Sequence, residues 1–180
     1  MESFVRRAVP QDAEEIAEVH IRTWQIAYRG QLPDEFLDNL GPTLQRRVEF
    51  WRTEISTPPA PQHEVWVAGR GSRVDGFVAI GPARDADQTT GELYAIYVDP
   101  KHWHKGLGRA LCAHAANRLA AHGYQTAILW VLESNVRARR FYEIGGWSLD
   151  GGSKVESRPG DVELREVRYR FDFRREKEES

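Results

Sequence analysis

The spacing of apolar residues predicts mainly helices through the first third of the chain. Residues 4–8 form a short strand candidate, and residues 13–27 carry an apolar stripe at helical spacing. Two further helices are predicted over 34–40 and 43–55, and the proline-rich stretch 56–62 predicts a loop. One strand followed by three helices is therefore expected before the pattern changes.

From residue 63 onward apolar and polar residues alternate, which is typical of strands. The last strand changes parity between Leu164 and Val167, which predicts a β-bulge. The elements predicted here are a hairpin of strands 65–68 and 74–80, strands 91–98 and 126–132, a strand that begins at 147–149, a strand 162–173, helices 106–122 and 134–144, and a loop 82–90. Residues 151–160 are predicted as a loop, or as a strand end followed by a turn. This order predicts an α/β domain with a mixed sheet.

Residues 98–111, VDPKHWHKGLGRAL, join a predicted strand to a predicted helix through a glycine-bearing loop. The first N–H groups of a helix have no intrahelical acceptor, and the helix dipole is positive there. Gly106 and Gly108 would let a phosphate approach the backbone, while Lys105 and Arg109 add positive charge. We predict a pyrophosphate-binding loop, and a plain tight turn is the alternative explanation of the glycines.

The loop resembles motif A of the GCN5-related N-acetyltransferases (GNAT), [QR]-x-x-G-x-[GA], with Trp103 standing in the first position. A second stretch, residues 135–147, resembles the family segment N-x-x-A-x-x-F-Y-x-x-x-G-[FW]. The run VHIRTWQIAYRGQLPDEFL is also similar to the first two helices of bacterial members. The resemblance extends over about residues 4–173.

The resemblance implies a GNAT fold of the α/β class. This fold has a mixed central sheet of six to seven strands, in which the fourth and fifth strands splay apart, with helices on both faces. It implies a single N-acetyltransferase domain over residues 1–174. The charged residues 175–180 would follow as a frayed tail.

The same resemblance implies acetyl-CoA as the acyl donor and no metal. The pantetheine arm would pair with the open edge of the fourth strand, and the pyrophosphate would meet the glycine-bearing loop. Asn135 would bind the arm, cap the following helix, or do both. The cofactor-binding residues implied in this way are Ile96, Tyr97, Val98, His104, Lys105, Gly106, Leu107, Gly108, Arg109, Asn135, Ala138 and Tyr142.

The resemblance also implies catalytic roles. Tyr142 would donate a proton to the leaving thiolate, although a buried aromatic would fit the position as well. Glu92 would accept the proton of the amine through a water molecule, with Glu133 as second choice; a solvated charge at the strand end is an equal alternative for Glu92. A backbone N–H at a bulge near Tyr97 or Val98 would stabilise the oxyanion.

An aromatic acceptor pocket is expected beside the first two helices, because aromatic rings can hold a cation or a flat ring. Packing in the core is the alternative explanation of these rings. The candidates are Trp24, Tyr28, Phe36 and Tyr94.

The function that follows is acetyl transfer to a primary amine by direct attack in a ternary complex. The acceptor would be a small molecule or a peptide amine. A non-catalytic acyl-CoA sensor that docks a partner protein is the alternative from another class. Members of the family often form dimers, so a homodimer is left open.

Composition and charge agree with these expectations. A net charge of −2 argues against general nucleic-acid binding, and the six histidines show no metal-ligand spacing. The single Cys112 fits a reducing compartment and a packing role. Because no apolar stretch of about 18 residues and no signal-like N-terminus occur, we expect a cytoplasmic protein without a membrane span.

Overall fold

Seven strands form one mixed sheet in the computed structural model, which describes residues 3–158 and 162–173. The strands are β1 (Ser3–Arg7), β2 (Glu64–Arg70), β3 (Arg73–Pro82), β4 (Thr90–Val98), β5 (Thr126–Leu132), β6 (Ser148–Arg158) and β7 (Val162–Asp172). They lie in the order β1-β2-β3-β4-β5-β7-β6, and the β4–β5 pair is parallel. The seven-stranded mixed sheet confirms the predicted fold class.

Helices cover both faces of the sheet, because each helix buries one apolar side. Ile16 of the first helix and Trp51 of the third pack with Phe77 on one face. Leu111 and Leu119 of the fourth helix pack on the other face. The helices are α1 (Ala13–Ala27), α2 (Asp34–Asp38), α3 (Leu44–Ser56), α4 (Leu107–Ala121) and α5 (Val136–Ile144), with short 3-10 turns at Pro10–Asp12, Gly41–Thr43 and Pro100–His102.

Strands β4 and β5 pair only at their beginnings and then separate. The paired positions are Thr90 with Thr126, Gly91 with Ala127 and Glu92 with Ile128. The last residues of both strands have no partner across this gap, so the sheet opens into a wedge. This confirms the splayed pair that was expected.

A β-bulge in β4 lies at Tyr94, two residues after the last position that pairs with β5. Ala95 pairs with Ala79 and Leu93 pairs with Ile80, so Tyr94 is the extra residue. The expected position near Tyr97 or Val98 is therefore wrong. Residues 93–98 are all apolar, and such a run contains no break in parity that could locate a bulge.

The end of the chain differs from the prediction in two ways. Residues 151–158, predicted as a loop or as a strand end and turn, all belong to β6, and the bulge lies in β6 between Leu149 and Ser153. Strand β7 stays in continuous register with β5. The parity change has another cause: Leu164 packs beside Leu132 on one face, whereas Val167 packs on the opposite face. Residues 159–161 and 174–180, which include the predicted tail at 175–180, lie outside the described residues.

A buried carboxylate ties β2 to α4. Glu64 is 3% exposed, and the Arg118 guanidinium donates to both of its oxygens at 2.8 and 2.9 Å. The Trp66 indole donates to it at 2.8 Å, and His122 Nε2 lies 3.1 Å away. Burial alone would raise the pKa of Glu64, but these hydrogen bonds lower it to about 2.

We expect Glu64→Gln to lower the free energy of unfolding by roughly 2–3 kcal/mol at neutral pH, because Arg118 would lose its charged partner. Since the folded pKa is depressed, the contribution is complete above the ordinary value of 4.5 and is lost as the pH falls toward about 2. Urea unfolding of both proteins across that range measures the effect. A difference that stayed constant down to the lowest pH would contradict this account of the carboxylate.

Candidate active site

The loop between β4 and α4 presents a run of backbone N–H groups without acceptors. His104 and Gly106 adopt positive φ angles of 61° and 83°, which turn successive N–H groups to one side. Within the described residues, no group accepts a hydrogen bond from the N–H of residues 104–109, and helical pairing begins with Ala110 bonding to Gly106. Such a concavity at a helix N-terminus is suited to an anion such as a phosphate.

The two glycines of this loop are needed for different reasons. Gly106 requires its left-handed conformation, which other residues adopt at a cost. Gly108 does not: a Cβ there would lie 3.6 Å from Phe141 and 3.7 Å from Val98, which are ordinary contacts. Packing within the protein therefore does not explain the glycine at position 108.

The outer edge of β4 carries further backbone groups. The Asp99 N–H donates to the Asp75 carbonyl at 2.8 Å. Because hydrogen-bonded positions alternate along an antiparallel pair, the backbone of Tyr97 also bonds to β3, while the backbone N–H and C=O groups of Ile96 and Val98 point into the opening. The Val98 carbonyl is already used by Thr23 and Trp103. The backbone of Ile96 and the Val98 N–H are the groups left for an extended ligand.

Asn135 caps α5 at the other lip of the opening. Its side-chain oxygen accepts from the Ala138 N–H at 3.1 Å, so the expected capping role is confirmed. Its Nδ2 group has no acceptor within the described residues. Asn135 and Ala138 both line the cavity that runs through the opening.

Tyr142 of α5 lines the same cavity and is 7% exposed. Its ring packs against Phe141 and Trp147, whereas its hydroxyl has no hydrogen-bond partner in the described part of the chain. Burial raises the pKa of this hydroxyl well above its ordinary value, and Cys112 and Tyr97 raise it further. The hydroxyl therefore keeps its proton at neutral pH.

Burial likewise raises the pKa of the Cys112 thiol to about 11. A thiol with this pKa is almost fully protonated near pH 7 and is a poor nucleophile. Cys112 packs in the core cluster with Leu111 and Ala115. This placement agrees with the packing role expected from the sequence.

Glu92 is 1% exposed and is bound by Arg84. The Arg84 backbone N–H donates to Oε2 at 3.0 Å, and its guanidinium bonds to both carboxylate oxygens. The charge of Glu92 is thus neutralised beside the bulge, although the residue borders the cavity. The second choice, Glu133, is exposed, lies 3.7 Å from Arg165 and is not part of the cavity wall.

Three of the four acceptor candidates lie together. The Trp24 ring lies 5.0 Å from that of Tyr28 and 6.5 Å from that of Phe36, centre to centre. Tyr94 has different neighbours: it stacks on His63, lies under Arg84, and donates its hydroxyl to the Pro82 carbonyl. All four border the cavity, but Tyr94 belongs to the Glu92 end of it.

A sequence model of the acetyltransferase (GNAT) family matches residues 15–146. The chain belongs to this family. The uncharacterized N-acetyltransferase YuaI of Bacillus subtilis is 34% identical over 73% of this chain and 72% of its own length. The probable N-acetyltransferase Rv2775 of Mycobacterium tuberculosis is 28% identical over 93% of this chain and 92% of its own. Family and enzyme class are thereby confirmed.

Solved structures support the GNAT fold independently. The PaiA N-acetyltransferase of Thermoplasma acidophilum, determined in complex with coenzyme A, is 20% identical. It superposes with a TM-score of 0.71 over 96% of this chain and 100% of its own. No helix in the described part of this GNAT chain is long and apolar enough to cross a membrane. The residues described also contain no group of three or more His, Cys, Asp or Glu side chains suited to a metal ion.

Sequence reasoning missed the polar neighbours of Tyr97 in this GNAT site. The His20 ring stacks on Tyr97 at 4.8 Å, accepts from the Trp51 indole at 3.4 Å, and has Arg47 3.4 Å from its Nε2. Burial, followed by the charge of Arg47, lowers the pKa of His20 to about 3, so the ring stays neutral. His20 lies within residues 13–27, which the sequence predicts as a helix, but no sequence signal marked Arg47.

Asn135→Asp separates the two roles expected of this residue. The carboxylate can still accept from the Ala138 N–H, so the melting temperature should stay within about 2 °C of wild type. The Nδ2 donor is lost, so we expect coenzyme A to bind about 10-fold more weakly, as for one hydrogen bond lost to the ligand. Calorimetric titration and a thermal melt provide the two measurements. Unchanged affinity would restrict Asn135 to its capping role.

Proposed function

We propose that this protein transfers an acetyl group from acetyl-CoA to a primary amine, by direct attack in a ternary complex. One observation carries the proposal. Four residues of the loop with acceptor-free N–H groups line the same cavity as the open edge of β4 and Tyr142: His104, Gly106, Gly108 and Arg109. The coenzyme A complex of the related PaiA structure supports this choice of ligand.

The residues at the opening suit each part of the donor. The N–H groups of residues 104–109, aided by Lys105 and Arg109, would hold the diphosphate. The exposed backbone of Ile96 and the Val98 N–H would pair with the amide-containing arm, and Asn135 Nδ2 would add a donor. When bound, acetyl-CoA supplies a thioester whose carbonyl carbon an amine can attack.

Tyr142 would protonate the departing sulfur. A thiolate leaves more readily when a hydroxyl beside it can donate a proton. The raised pKa keeps the Tyr142 hydroxyl protonated, and no described protein group competes for that proton. After turnover the same hydroxyl would recover its proton from water.

The aromatic group of Trp24, Tyr28 and Phe36 would receive the acceptor amine. Burial raises the pKa of Tyr28 well above its ordinary value, so this wall is uncharged at neutral pH. Rings of this kind hold an alkylammonium or a flat group through their faces. The acceptor would thus enter from the α1–α2 side, opposite the diphosphate loop.

Glu166 of β7, rather than Glu92, would accept the proton of the amine. It pairs in register with Leu132 at the end of β5 and borders the cavity. Burial raises the pKa of Tyr97, and the negative charge of Glu166 raises it further. The side chain of Glu166 is 21% exposed, so water can reach it. Its carboxylate lies 3.4 Å from the Lys154 amine.

We expect Tyr142→Phe to lower kcat by about 10²-fold or more, with coenzyme A affinity unchanged, because only the proton donor is removed. Release of free thiol, measured with a panel of primary amines, provides the readout. Full kcat in the variant would exclude Tyr142 as the acid. Coenzyme A binding by wild type without thiol release on any amine would favour a non-catalytic sensor.

The two carboxylates are distinguished by pH. Glu92→Gln should leave the pH dependence of kcat/KM unchanged, because Arg84 already neutralises this group. Glu166→Gln should lower kcat/KM at neutral pH and recover activity as alkaline pH deprotonates the amine directly. Glu156→Gln, on the same sheet face next to Lys154, is the matched control. If the pH dependence of kcat/KM shifted in Glu92→Gln and in neither of the other two variants, Glu92 would be the base and Glu166 would not.

A further inference from the structure

Trp103 and Arg137 meet across the mouth of the opening. The Arg137 guanidinium carbon lies 3.6 Å from the centre of the Trp103 ring. Trp103 is fixed to the end of β4, because its indole N–H donates to the Val98 carbonyl at 2.7 Å. Arg137 comes from the first turn of α5, which follows β5. The contact therefore joins the two lips of the wedge next to the 104–109 loop.

Among the residues that the structure describes, Arg137 has no counter-ion. Across residues 3–158 and 162–173, no carboxylate lies within ion-pair distance of it, and the first turn of α5 contains no acidic residue. A cation in the first turn of a helix is disfavoured by the helix dipole. A guanidinium held here at an electrostatic cost, on the wall of the cavity, suits an anionic ligand.

Trp103 also stands where motif A has glutamine or arginine. The indole has one N–H, which is used by Val98, so Trp103 has no donor left for a ligand. Its ring instead supports a guanidinium delivered from α5. Stacking occupies the face of the guanidinium and leaves its N–H edge for bidentate bonds to phosphate oxygens.

We infer that Arg137, held over Trp103, is a ligand of the coenzyme A diphosphate and supplies the polar group that motif A lacks in this chain. The identity of the ligand rests on the proposed function. Arg137 adds side-chain charge to a cradle that is otherwise built mainly from backbone N–H groups. Trp103 is then a positioning residue that acts through Arg137.

The test is calorimetric binding of coenzyme A at two salt concentrations. Arg137→Gln should weaken binding about 10-fold at low salt, as for a charge-assisted bond to phosphate. Its affinity should also depend less on salt than that of wild type, because one ionic contact is lost. Arg52→Gln, an exposed α3 residue outside the cavity, controls for net charge and should match wild type.

A double-mutant cycle tests the role of Trp103. Trp103→Ala should weaken binding, and adding it to Arg137→Gln should cost little more, because the two residues act as one unit. Trp103→Phe keeps a ring for the stack and should retain most of the affinity, which guards against loss through misfolding. Additive losses from Trp103→Ala and Arg137→Gln would overturn the positioning role.

Two results would overturn the diphosphate assignment. One is an affinity of Arg137→Gln for coenzyme A within about 2-fold of that of wild type. The other is weaker binding whose salt dependence equals that of wild type, which would indicate that Arg137 contacts the uncharged pantetheine arm or only supports the structure. Both differ from failure of the proposed function. In that case wild type itself would bind no coenzyme A, or would bind it and acetylate no amine.

Discussion

The structure depends on backbone hydrogen bonds that β4 and β5 leave unmade. Buried N–H and C=O groups are almost always paired, and an unpaired one costs free energy comparable to a lost hydrogen bond. Here the sheet stops pairing after three positions, and the following loop adds a run of N–H groups without acceptors. The opening is thus a surface of backbone groups that only a ligand or water can satisfy.

The rest of the domain holds that opening in place. Strand β4 is hydrogen-bonded along its other edge to β3, and β5 is hydrogen-bonded to β7. Neither strand can therefore close the gap between β4 and β5 without breaking these hydrogen bonds. Helix α4 packs across β3 and β4 through Leu111 and Ala115. Leu132 and Leu164 join the far strands to α1 and α2. The unpaired groups are therefore preorganised by packing rather than formed by movement.

Much of this arrangement could be predicted from local signals. Glycines 106 and 108 after an apolar run indicated the loop, and periodicity located the helices. The start of β6 was predicted but its full length was not, because its glycines and polar residues resemble a loop and the strand is ordered by pairing with β7. The Arg84–Glu92 pair and the Arg137–Trp103 stack depend on distances between separate elements, which no local pattern encodes.

The bulge at Tyr94 determines which face of the sheet each later side chain of β4 occupies. Leu93 packs toward α4, and strict alternation from it would also turn Tyr97 toward α4. Because one extra residue intervenes, Tyr97 faces α1 and His20, while Ile96 and Val98 face α4. Deleting that single residue would turn the side chains of residues 95–98 to the opposite faces of the sheet. Tyr97 would then face α4, and Ile96 and Val98 would face α1.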